Sequence, residues 1–110
     1  MEQAGQPSMA EALDQLWLKF LPQLEERLAI LEAAGAALAD RKLSTHQREA
    51  ANSAAHKLAG VLGTFGLTKG TILAREAEII YSGEPETDPD AAAHLGRIAG
   101  QLRTIIASRK

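Results

Sequence analysis

The chain has 110 residues and no cysteine, which removes disulfides and thiolate metal ligands from consideration. Aromatic residues make up only 4% while hydrophobic residues reach 45%, so any core must be aliphatic. Valine and threonine are sparse beside alanine and leucine, a balance that favours helix over strand. The net charge is -2 with both signs mixed, which provides no electrostatic footprint for nucleic acid or an anionic membrane. No apolar run approaches the length of a bilayer span, and the first eight residues lack the basic and apolar segments of a signal peptide. The expectation is one helical domain in the cytoplasm, a monomer without membrane insertion or a nucleic-acid partner.

What is present is helix punctuation. Residues 1–7 are small and polar and are expected to be a flexible N-terminus, with residues 8–110 forming a single domain. Ser8 followed by Glu11 fits a capping box and opens a first helix presenting Leu13, Leu16, Trp17 and Phe20. Pro22 removes a backbone donor, which predicts a break between Lys19 and Pro22. A second helix then carries Leu24, Leu28, Leu31 and Leu38 to about Ala39. Ser44 with Gln47 is another capping box, and its helix has Ala51, Ala55, Leu58, Leu62 and Phe65 spaced as a core seam. Gly66 is placed to end it in a left-handed conformation. The next helix runs from Leu67 or Thr68 to Tyr81, with Leu73, Ala77 and Ile80 inward. Asp88-Pro89-Asp90 reads as a helix start, with Asp88 capping, and Leu95, Ile98, Leu102 and Ile105 define the buried face of a last helix to about Ser108. The sum is an all-α antiparallel four-helix bundle, up-down-up-down, with a short additional N-terminal helix.

The helix opened by Ser44 carries His56, with Gly60 four residues on and Gly63 seven on. Glycine within a helix costs roughly 1 kcal/mol relative to alanine. Residues four and seven along share a helix face with the first, so the glycines clear the surface beside the imidazole. His56 lies on a polar, small stripe with Asn52 and Ser53, and these with Gly60 and Gly63 form the expected partner-docking surface. The chain turns near residues 66 and 67, which places Glu78 level with His56 on the following helix and Arg75 a turn away. A carboxylate bonded to one ring N–H fixes the tautomer and leaves the other nitrogen as a free lone pair, an oriented nucleophile. Alone, a helix histidine is most simply a hydrogen-bonded structural residue; the glycines set His56 apart. Gly35 and Gly100 read as packing sites, and His46 and His94 as solvated surface residues.

His56-Lys57-Leu58-Ala59-Gly60, with Gly66 ten after the histidine and the run Leu73-Ala74-Arg75-Glu76-Ala77-Glu78, resembles the histidine phosphotransfer (HPt) domains of bacterial phosphorelays. The resemblance implies that His56 accepts a phosphoryl group from a receiver-domain aspartate or a kinase and passes it on, with Glu78 orienting the imidazole. It implies a response-regulator receiver domain or a hybrid histidine kinase as partner. Many members carry lysine three after the histidine, where this chain has Ala59; Lys57 or Lys69 is the expected source of positive charge instead. No glycine-rich nucleotide loop is present, nor an acidic cluster suited to magnesium. The chain is therefore expected to be a phosphocarrier rather than an enzyme, with no metal site or cofactor of its own and Mg supplied by the receiver. The alternative is a degenerate, non-phosphorylated helical adaptor. A kinase dimerisation domain fits less well, because the acidic residue and proline that usually follow its histidine are missing.

Overall fold

Two reciprocal caps set the first helix starts. The Ser8 hydroxyl accepts from the Glu11 N–H at 3.1 Å while the Glu11 carboxylate accepts from the Ser8 N–H at 2.9 Å. Ser44 and Gln47 repeat the arrangement at 3.0 and 3.2 Å. The computed structural model describes residues 8–109, and these caps open α1, Met9–Ala39, and α2, Thr45–Thr64. A third helix, α3, spans Thr68–Ser82, a 3-10 turn covers Pro85–Thr87, and α4 runs over Ala91–Ser108. The expected flexible segment 1–7 lies outside the described residues. Helix α1 packs on α2 and α4, and α3 packs on the same two, closing an all-α antiparallel four-helix bundle. No helix among the described residues is long and apolar enough to cross a membrane.

The expected break at Pro22 does not occur. One 31-residue helix runs through the proline, so the separate short N-terminal helix is the first part of α1. Pro22 is exposed, and so is Leu18, 65% exposed, whose carbonyl loses its helical donor. Both residues lie on the exposed face of α1, where water can take the place of the missing donor. Trp17 and Leu24, both buried, anchor the helix on either side of the proline. Of the apolar residues that this part of α1 presents, Trp17 is buried while Leu16 stays 38% exposed.

The chain turns after α2 as the glycine requires. Gly66 adopts φ 72°, its N–H donates to the Gly63 carbonyl at 3.0 Å, and the Leu67 N–H donates to the Leu62 carbonyl at 2.9 Å. The same two-bond closure ends α1, where Arg41 takes the left-handed position at φ 58°. The start of α4 falls later than expected, with Asp90 rather than Asp88 at the N-cap. The Asp88 carboxylate accepts from the Asp90 N–H at 2.9 Å, and that local turn holds Pro89 outside the helix.

Leu24, Leu28, Leu58, Leu62, Tyr81 and Leu102 are the largest fully buried side chains, and alanines fill the close approaches between them. Ile106 takes the buried place expected of Ile105, which is only partly covered. Trp17 and Phe20 meet Phe65 edge-on at 5.1 and 6.2 Å between ring centroids. The Arg109 guanidinium lies 5.0 Å from the Trp17 ring centre and 5.1 Å from that of Phe65. This cluster ties the early turns of α1 and the end of α4 to the α2–α3 turn, the turn that sets the register of the site.

Candidate functional site

Two contacts fix the register of α2 against α3. An added Cβ at Gly63 would lie 3.3 Å from Thr71 Oγ1, and seven residues away on each helix His56 meets Glu78. Thr71 Oγ1 also donates to the Ala59 carbonyl at 3.1 Å, and Asn52 Nδ2 donates to the Glu78 carbonyl at 2.8 Å. These side-chain to backbone bonds hold the facing helices at one height. Each uses a helix carbonyl whose second lone pair is free to accept.

His56 Nδ1 lies 2.8 Å from Glu78 Oε2. A carboxylate only accepts, so Nδ1 carries the proton and Nε2 presents its lone pair. The histidine side chain is 68% exposed and that of Glu78 27%. The ring is therefore tethered at its inner nitrogen and open to solvent at the other. Gly60, one turn on, has nothing within 4 Å of an added Cβ, so the surface beside the ring is clear. Gly63 differs, because its missing side chain makes room for Thr71. Asn52 is half-buried and committed to the α3 backbone, whereas Ser53 and Lys57 are exposed.

Lys69 is not brought to this site. It lines an open groove between α3 and α4 with Arg97, Gly100, Gln101, Thr104 and Ile105. Nine residues separate it from Glu78, and at about 100° per residue that places the two on opposite sides of α3. Arg75 lies instead on the outer face beside Glu78, lining a shallow groove with Asn52, Glu78, Ile79 and Ser82. Ile72 and Ile79, 61% and 70% exposed, flank it along the helix.

His94, expected to be solvated, is half-covered and held. Its Nε2 lies 2.7 Å from Glu76 Oε2 and its Nδ1 lies 3.3 Å from the Arg97 guanidinium. Arginine only donates, so Nδ1 is the acceptor and both ring nitrogens are occupied. His94 thus joins α3 to α4 and has no nitrogen left for a nucleophilic role. His46 is exposed as expected. Gly100, expected to be a packing site, faces open space, while the space at Gly35 is bounded by the Tyr81 hydroxyl. Sequence reasoning missed Thr71, although its register opposite Gly63 was countable from the turn. Among the described residues no group of three His, Cys, Asp or Glu side chains is placed to hold a metal.

The fold and the site define a helical-bundle domain built around one outward, oriented histidine. The chain belongs to the Hpt domain family, whose model matches residues 15–108. Members of this family are phosphocarrier modules of two-component signalling. Over 94 residues the chain is 36% identical to Protein RcaC of Microchaete diplosiphon, an alignment covering 86% of this chain and 14% of that protein. The chain thus spans a small part of the length of this curated relative. No solved structure matches it.

Proposed function

We propose that His56 is the phospho-accepting residue of a phosphorelay, charged by a receiver-domain aspartate or a histidine kinase and discharged to another receiver. The observation that carries this reading is the tethered ring, with Nδ1 bonded to Glu78 at 2.8 Å and the side chain 68% exposed. The Nε2 lone pair attacks the phosphorus of an aspartyl phosphate. The Nε2–P bond forms as the P–O bond breaks, and the aspartyl carboxylate leaves with the electron pair. Nδ1 keeps its proton, so the ring gains positive charge facing the Glu78 carboxylate. Onward transfer reverses the same bonds. The partner supplies the divalent cation for the acyl phosphate. The open surface at Gly60 admits the partner's loops, and Ile72 and Ile79 offer it apolar area.

The test is phosphoryl transfer from a panel of phosphorylated receiver domains. The expected product is an acid-labile, base-stable label that disappears in His56→Gln. A folded protein that takes no label from any receiver or kinase favours the adaptor reading instead.

A further inference from the structure

Phosphorylation of His56 introduces an electrostatic conflict. The group arriving on Nε2 carries close to two negative charges, and Glu78 already places a carboxylate on the other side of the same ring. A cation positioned at the outer nitrogen would offset that repulsion. Three cations are candidates by sequence position. Lys69 lies on the far side of α3, in the groove against α4. Lys57 is about 100° round α2 from His56, on the side away from Asn52 and Gly63, which face α3. The Glu78 bond draws the ring the other way, toward α3.

Arg75 is on that side. The contacts of His56 with Glu78 and of Gly63 with Thr71 set the register, and they place Arg75 opposite Ala59, each three residues from the reactive pair. Ala59 is 1% exposed and its carbonyl is taken by Thr71, so α2 provides no side chain there to reach the phosphoryl group. Arg75 is exposed and shares a groove with Glu78 and Asn52. Residues three apart on a helix have Cβ atoms about 5–6 Å apart, within guanidinium reach of a group beyond the ring that Glu78 holds. Among the described residues Arg75 makes no hydrogen bond or ion pair, even with Glu78, so its five donors are uncommitted.

We propose that Arg75 contacts the phosphoryl group on His56, supplying from α3 the positive charge that α2 lacks at Ala59. This rests on His56 being the phospho-acceptor. The planar fork of arginine suits two phosphoryl oxygens at once.

The experiment uses phosphoramidate as donor. The Nε2–P bond forms, the P–N bond of the donor breaks and ammonia leaves, so no partner protein is required. Label on His56 is located by mass spectrometry and by its loss in His56→Gln. Arg75→Gln should slow uptake at His56 about five- to tenfold, the effect of one charge-assisted hydrogen bond at an exposed site. Arg75→Lys should restore most of the rate, the thermal midpoint should stay at the wild-type value, and the wild-type rate should fall more steeply with salt than that of Arg75→Gln. Uptake by Arg75→Gln at the wild-type rate, or a loss that follows Lys57→Gln instead, overturns the role of Arg75 and leaves the phospho-acceptor reading standing. A folded wild-type protein that takes no label at His56 overturns both.

Discussion

Glu78 holds His56 from across the α2–α3 hairpin, with its Oε2 2.8 Å from the ring Nδ1 although the two lie 22 positions apart in the chain. The carboxylate fixes which nitrogen is nucleophilic, and it faces the charge that the ring gains on attack. Glu78→Ala should therefore lower the phosphotransfer rate about ten- to a hundredfold, the scale of a mispositioned reacting group. Glu78→Gln keeps an acceptor for Nδ1–H but loses the charge, and should fall between Ala and wild type. Rapid-quench transfer from a phosphorylated receiver measures both, and equal rates in all three proteins would remove Glu78 from the site.

Tyr81 is 1% exposed, and its hydroxyl has no hydrogen-bond partner among the described residues. Burial pushes its pKa up to about 12 from 10.0. Tyr81→Phe should stabilise the fold by about 1 kcal/mol in chemical denaturation, because an unsatisfied buried polar group is removed. The sign of the alkaline dependence follows from the raised pKa. The unfolded chain loses the phenolic proton first, so this group's stability is intact below pH 10.0 and is lost as pH rises toward about 12. Tyr81 is the sole tyrosine, so tyrosinate absorbance follows that loss directly, and Tyr81→Phe should lack it.

Two glycines should respond to alanine with opposite signs. An added Cβ at Gly100 meets nothing within 4 Å, so Gly100→Ala should raise stability by about 0.5–1 kcal/mol through helix propensity alone. At Gly70 the same atom would lie 3.0 Å from Leu62 Cδ1 and 3.5 Å from Ile105 Cγ2. Leu62 is fully buried, so its Cδ1 must shift within the core to admit the methyl, and Gly70→Ala should destabilise by about 1 kcal/mol as overpacking exceeds the helix gain. Paired urea titrations decide both.

Glu32 accepts two hydrogen bonds at 2.8 Å from Arg103, which tie α1 to α4. Those bonds hold its carboxyl below the ordinary 4.5. Its stabilisation is present above that value and is lost as pH falls through the lower folded-state value. Solvent screens the pair, so the effect should be small: Glu32→Gln should flatten the acid limb of a stability-versus-pH curve slightly and leave neutral-pH stability nearly unchanged.

The features legible in the sequence were local or countable. Ser8 with Glu11 and Ser44 with Gln47 are signals spaced three residues apart that need no tertiary information. Gly66 marked a turn, and counting outward from it set Glu78 opposite His56. The features that escaped depend on what lies across the bundle. Pro22 stays helical because Trp17 and Leu24 are anchored on either side of it and because Leu18 faces water. Asp88 bonds Asp90 instead of capping a helix, a choice between two equally local uses of one carboxylate. Tyr81 is buried beside Gly35, and His94 meets Glu76, through contacts between helices that no local pattern announces. Lys69 lines the α4 side of α3, because nine residues from Glu78 is two and a half turns of helix and ends on the opposite side.

Three side-chain bonds shape the site: Asn52 to the Glu78 carbonyl, His56 to Glu78, and Thr71 to the Ala59 carbonyl. All lie inside one helical hairpin, bounded by the Gly66 turn. Helices fray from their ends, and local opening of a native protein proceeds in cooperative units rather than atom by atom. Amide exchange should therefore be slowest across the α2–α3 seam, and the fraction of time in which the histidine is correctly aimed follows the opening equilibrium of that one hairpin.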